Sequence, residues 1–378
     1  MRFIGFTDDN STEMLDQLLT NLSSDKEVKA IIMLMAENCS YTYLEMQPQL
    51  QGCSVPVYGA IFPSIIYQYK NYNKGIVAIG VTEDIHVKEI RFADMNLEDQ
   101  LYDFRNKCQG ASSKNESNLM MVLLDGFSEN GAKFTSQLFS VFHTSTKYIG
   151  GGAGGRSCKQ FPCVFSADAI WQEGGLLIYA RRDSSFGIEH GWVPLYGPLI
   201  ASAVKGKLLC SLSWKNALAV YKSIIWKTKQ IEVNHDNFFD IGNTFPLGVW
   251  NINQQYAIRD IIGLEKNNIR LAAPIQQDEV LSIMTGSVFS LVKAAAKAAV
   301  NAVNNRPAES SFSLALIIDC ASREMFLKEH FARELNAIEK ELSKYDYPSI
   351  GALTIGEIAS KEDEFLELHN KTVVVGLI

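Results

Sequence analysis

An α/β fold of α+β character, built as two domains of mixed β-sheets with helices packed on them, is predicted from three features of the sequence. Continuous apolar runs such as residues 28–35 alternate with helically spaced segments in the first part. From Tyr148 the pattern changes to closely spaced, hairpin-like runs. Beyond residue 244 long helical patterns and apolar runs alternate again. A length of 378 residues exceeds an ordinary single domain and suggests two.

Each element has its own signal. Residues 2–7 predict a strand. Ser11 then supplies N-cap chemistry, and Met14, Leu15, Leu18, Leu19 and Leu22 follow at helical spacing. Residues 28–35, 75–81 and 119–124 have the apolar pattern of buried strands. Residues 162–169 and 175–182 predict paired strands around a Gly174–Gly175 turn. Strands at 191–196 and 207–213 and a helix at 216–226 come next. Residues 234–243 have no period, so the domain boundary is placed there, giving domains 1–235 and 244–378. A helix is predicted over 278–304 from the stripe Leu281, Met284, Val288, Leu291, Ala295, Ala298 and Val303, ended by Arg306-Pro307. A strand at 314–319, a turn at 320–322, a helix at 323–342 and strands at 349–358 and 372–377 complete the chain. The last run, VVVGLI, has the composition of a buried central strand.

Composition narrows the function classes. With 47% apolar and 20% charged residues the chain has enough apolar material for substantial cores. Its 35 basic and 42 acidic residues give a net charge of −7, and no Lys/Arg cluster is present to neutralise phosphates, which argues against nucleic acid as a partner. No signal-peptide h-region and no membrane-length apolar window is present, so a cytoplasmic protein without membrane insertion is expected. Seven scattered cysteines fit reduced thiols in that compartment.

Few chemical motifs survive inspection. Gly150, Gly152 and Gly155 spell GxGxxG, but a strand pattern follows where a phosphate site needs a helix N-terminus, so a tight turn with close backbone packing is the better reading. Cys158 and Cys163 have a spacing two zinc ligands can use, with Cys53 or a histidine as a third; two thiols flanking a loop is the stronger reading. None of the six histidines is paired at helical ligand spacing. The turn Asp319-Cys320-Ala321-Ser322-Arg323 joins a strand to a helix, where Arg323 either grips a ligand carboxylate or forms an ion pair with Glu357 or Asp260. Glu357 and His369 are candidates for acid–base work, although their separation in sequence promises no geometry.

Taken in order, several short segments resemble the FIST domain proteins. They are Gly52-Cys53-Ser54 with Gly59, Ile149 to Gly154, His190-Gly191-Trp192-Val193-Pro194 and Ala217 to Tyr221 for an N-terminal half. Phe245-Pro246-Leu247-Gly248, Tyr256 to Asp260, Cys320 to Arg323, Gly356-Glu357-Ile358 and His369-Asn370 stand for a C-terminal half. The resemblance implies a sensory, non-catalytic module that binds a small ligand and regulates a separate signalling partner. The stand-alone members include the NosP proteins, which look like haem-binding nitric oxide sensors acting on a partner histidine kinase. On that reading haem is the cofactor, His190 its axial ligand and Trp192 part of the pocket wall. The alternative is a binding module for an amino acid or other carboxylated metabolite, with Arg259, Arg323 and Glu357 as the polar grip.

Overall fold

The computed structural model describes residues 3–9, 11–39, 42–109, 117–251, 255–307, 310–360 and 366–378; Arg2 of the first predicted strand lies outside them. Among these residues the chain follows one path three times: strand, helix, strand, helix, strand, hairpin, strand.

The first repeat comprises β1 (Phe3–Thr7), α1 (Thr12–Ser23), β2 (Ala30–Ala36), α2 (Tyr43–Gly52), β3 (Val57–Phe62), the hairpin β4 (Ser64–Tyr67) and β5 (Lys70–Tyr72), and β6 (Ile76–Val81). The second comprises β7 (Ile85–Arg91), α3 (Leu97–Gln109), β8 (Asn118–Asp125), α4 (Gly131–Phe142), β9 (Lys147–Ala153), the hairpin β10 (Val164–Ser166) and β11 (Ile170–Trp171), and β12 (Gly174–Arg181). The third opens with β13 (Ser185–Glu189) and is interrupted by an inserted unit. That unit holds β14 (Val193–Lys205), β15 (Leu208–Leu212), β16 (Lys215–Asn216), α5 (Ala217–Lys229), α6 (Phe238–Thr244), β17 (Leu247–Trp250), β18 (Tyr256–Arg259), β19 (Ile261–Glu265), β20 (Asn268–Leu271) and β21 (Val280–Thr285). The repeat resumes with α7 (Val288–Asn304), β22 (Ala315–Cys320), α8 (Ala321–Leu327), α9 (Phe331–Leu342), β23 (Ser349–Thr354), the hairpin β24 (Glu357–Ala359) and β25 (Glu367–His369), and β26 (Val373–Leu377).

Each repeat supplies four neighbouring strands of a six-stranded sheet around a parallel pair: β2 beside β3, β8 beside β9 and β22 beside β23. Its hairpin leaves to complete another repeat's sheet. Strand β4 pairs with β23, β10 with β3, and β24 with β9, all antiparallel. The inner faces of the three sheets meet in one core, where Leu34, Leu123 and Ile318 belong to the same apolar cluster. Helices α1 and α2, α3 and α4, and α7 with α9 cover the outer faces. Burial on both faces explains why the central strands are apolar throughout. The inserted unit forms the fourth sheet, in the order β18-β17-β21-β14-β15-β20-β19, with its own core under α5 and α6.

Several local expectations change. Residues 162–169 and 175–182 do not pair with each other: β10 lies between β3 and β11, and β12 between β7 and β8. The helix expected from 278 starts at Val288, because Leu281, Ile283 and Met284 belong to β21, a fully paired strand between β14 and β17. Ser287 caps the true start, its hydroxyl accepting from the Ser290 N–H at 3.1 Å. The helix predicted over 323–342 is split by Lys328 at φ +50° into α8 and α9. Residues 234–243 contain most of α6, and three of the four sheets take strands from both sides of that stretch. As foreseen, the C-terminal run is an inner strand, with β26 between β13 and β22.

Glycines make the close approach of the sheets possible. A Cβ on Gly152 would lie 2.2 Å from the Ile355 carbonyl oxygen and 2.6 Å from the Gly126 Cα. One on Gly151 would lie 2.6 Å from the Thr354 methyl. The GxGxxG letters therefore mark the end of β9, where it passes the ends of β8 and β23, and close backbone packing is their role.

Candidate functional site

The predicted polar residues of the second half lie where β22, β24 and the segment before β26 meet the inserted unit, but each is taken up by neighbouring groups of the fold and not by the others. Arg323, at the start of α8, is fully buried. Its Nε and Nη2 donate to Glu334 Oε1 at 2.9 and 2.6 Å, and Nε lies 3.3 Å from Asp319 Oδ1. Its Nη1 donates to the carbonyls of His190 and Lys371 at 2.5 and 3.0 Å, and Nη2 to that of Leu291 at 3.3 Å. The partners are thus Glu334 and Asp319, not Glu357 or Asp260. Burial pushes both carboxyls up, Asp319 well above its ordinary range. Among the described residues Asp319 Oδ2 and Glu334 Oε2 have no hydrogen-bond partner, and the nearby Glu334 charge adds to the upward push on Asp319.

Glu357 is also fully buried. Thr354 Oγ1 donates to its Oε1 at 3.0 Å and the Thr372 N–H to its Oε2 at 3.1 Å. Among the described residues no cation is paired to it, and burial raises its pKa to about 8. Asp260 has its own cation: Lys371 Nζ lies 3.2 Å from Asp260 Oδ1, donates to Asn243 Oδ1 and sits 5.2 Å from the centre of the Trp192 ring. Trp192 is buried edge-on against Phe326, and its Nε1 donates to the Lys371 carbonyl at 3.3 Å. Arg259 donates from Nε to the Pro274 carbonyl at 3.2 Å and from Nη1 to that of Ile258 at 3.0 Å. Each of these groups has internal partners before any ligand arrives.

His190 borders a cavity of about 250 Å³ between the third repeat and β18 of the inserted unit. The cavity is walled by Glu189, Lys297, Glu367, His369, Gln255 and Tyr256, with Thr372 as the link to Glu357 behind. Both signs of charge are present: Lys297 Nζ stands 2.7 Å from Glu189 Oε1, and His369 Nδ1 3.6 Å from Glu367 Oε2. His369 is also the cross-strand partner of Glu357 in the β24–β25 ladder. The hairpin register brings these two together, which their separation in sequence does not foretell. Lys297, Glu189 and Glu367 carried no sequence signal: each reads as an ordinary surface charge.

These residues do not fit a haem. His190 Nδ1 accepts the Trp192 N–H at 3.0 Å, which leaves the neutral ring's proton on Nε2. An iron-bound histidine needs one bare nitrogen and donates from the other, the reverse of this arrangement. The cavity walls are charged where haem needs an apolar slot. The zinc pair fares no better. Cys163 is buried in the central core and Cys158 is exposed on the loop before it. Among the described residues no three His, Cys, Asp or Glu side chains are placed to hold a metal ion. No described helix is long and apolar enough to cross a membrane.

Comparison with known proteins places the chain. No curated protein matches it. Among solved structures, a crystal structure of a chorismatase matches at 10% identity and a TM-score of 0.36, over 100% of this chain and 98% of that one, too distant to carry an argument. The FIST N domain model matches residues 31–215 and the FIST C domain model residues 217–360. The chain belongs to the FIST family, whose domains are generally sensory, ligand-binding modules of signalling proteins.

Proposed function

We propose that this protein is a non-catalytic sensor that binds an amino acid, or a metabolite with the same pairing of carboxylate and ammonium, in the cavity between the third repeat and the inserted unit. The observation that carries this reading is the wall itself: a lysine and two histidines face two glutamates around about 250 Å³. A zwitterion satisfies both signs at once, with its carboxylate toward Lys297 and its ammonium toward Glu189 or Glu367. The volume lies just below the roughly 300–1,000 Å³ typical of drug-sized ligands, which suits a small metabolite. Tyr256 and Gln255 supply further polar contacts, and Ile188 and Ile258 a limited apolar floor. Binding bridges the repeat to the inserted unit and stabilises one relative placement of the two, a change that a separate signalling partner can read.

A thermal-shift screen of the twenty amino acids and common carboxylated metabolites tests this. Ligand at a hundred times Kd stabilises by about 2.7 kcal/mol, enough for a clear rise in Tm. Lys297→Met is expected to weaken the response about tenfold or more in affinity while leaving the unliganded Tm near wild type. If no zwitterion shifts Tm at millimolar concentration, the reading fails.

A further inference from the structure

A second cavity lies on the other side of the inserted unit, and one of its charges, the Lys207 ammonium, has no carboxylate in direct contact among the described residues. It holds about 280 Å³ beyond the C-terminal ends of β8 and β9, between the second repeat, Ile355 of the third, and the β14–β15 turn, β19 and β20 of the inserted unit. Lys207, on the β14–β15 turn, borders it and is only 8% exposed. Its Nζ donates to the Ser128 carbonyl at 3.0 Å. The other two N–H groups have no partner, and no carboxylate comes within ion-pair distance, among the described residues.

The acids around it are already committed. Glu129 is held by Arg270 at 2.6 Å, and Arg270 also grips Glu265 at 2.9 Å. Glu173 accepts from Ser128 at 2.7 Å and Asn130 at 3.3 Å, and also from Gln160. Burial, helped by the Arg270 charge, pulls the Lys207 ammonium below its ordinary pKa, and the more distant Glu129, Asp125 and Glu173 only partly offset this. The rest of the wall is apolar, with Phe127, Ile262, Ala272 and Ile355 around the exposed thiol of Cys158.

We propose that this cavity is a second binding site, distinct from the zwitterion pocket, for a short monocarboxylate whose oxygens take the two free N–H groups of Lys207 while its hydrocarbon part packs on Ile262, Ala272 and Ile355. An unpaired buried ammonium over an apolar floor recognises that combination, whereas an amino acid would bring an ammonium toward Lys207 and be repelled.

Cys158 reports on occupancy. The test alkylates the full-length protein with iodoacetamide, with and without butyrate, and follows the Cys158 peptide by mass spectrometry. Butyrate is expected to slow alkylation of Cys158 in the wild type and in Lys297→Met. In Lys207→Met the protecting concentration is expected to rise about tenfold or more. Ile262→Trp, which fills the apolar floor, is expected to remove the butyrate dependence and serves if Lys207→Met does not fold. Absence of protection in the wild type, or undiminished protection in the variant that folds, overturns the proposal. Because Lys297→Met affects only the first cavity, failure there leaves this test intact.

Discussion

Arg323 ties α8 to α9 through Glu334, to β22 through Asp319, and to the backbone carbonyls of His190, Lys371 and Leu291. Removing it leaves buried carboxylates uncompensated, a cost of about 3–5 kcal/mol. Arg323→Ala is therefore expected to lower the urea midpoint sharply or prevent folding, which separates a structural role from a ligand-gripping one. Glu357 behaves differently, because it is buried without a paired cation among the described residues and titrates at about 8 in the fold. The folded state holds a proton that the unfolded state releases at ordinary carboxyl pH, so stability falls as pH rises from the unfolded value through about 8. Urea titrations across that window are expected to show the slope in wild type and a flatter one in Glu357→Gln, with the variant gaining relative stability at the alkaline end. An equal slope in both would place the titrating group elsewhere.

At the level of elements, β9 shows why a glycine run can mimic a nucleotide motif. Its residues are glycine because the ends of β8 and β23 leave no room for a Cβ. Gly152→Ala must displace backbone at Ile355 and Gly126, and a loss of about 3 kcal/mol or more is expected by chemical denaturation. Gly52 offers the control: a Cβ there meets nothing within 4 Å, so Gly52→Ala should stay within about 0.5 kcal/mol. A mild effect at Gly152 would show that the sheet ends can slide apart. The inserted unit contributes to both cavities described above, β18 to the first and β19 and β20 to the second.

On the scale of the whole molecule, hairpin exchange closes the three sheets on one another. β4 needs β23, β9 needs β24, and β13 needs β26. Residues 1–235 alone would expose these edges and the inner core that the third sheet covers. That fragment is expected to lack a cooperative unfolding transition, while the full chain unfolds its three repeats together. Circular dichroism with urea distinguishes the outcomes, and a cooperative fragment would mean that the first two sheets stand without the third.

The sequence by itself determined the α/β class, the cap of α1, the apolar strands buried on both faces, and family membership, because these depend on spacing within a few residues or on a sum of short motifs. Tertiary structure alone decided which strands pair, that β21 is a strand and not a helix start, and that Arg323, Glu357 and Trp192 look inward. It also gathered Lys297, Glu189, Glu367 and His369 around one cavity. The reason is the same throughout. Periodicity reports which face of an element is covered, whereas partners and counter-charges come from strands far away in sequence, through hairpins exchanged between repeats.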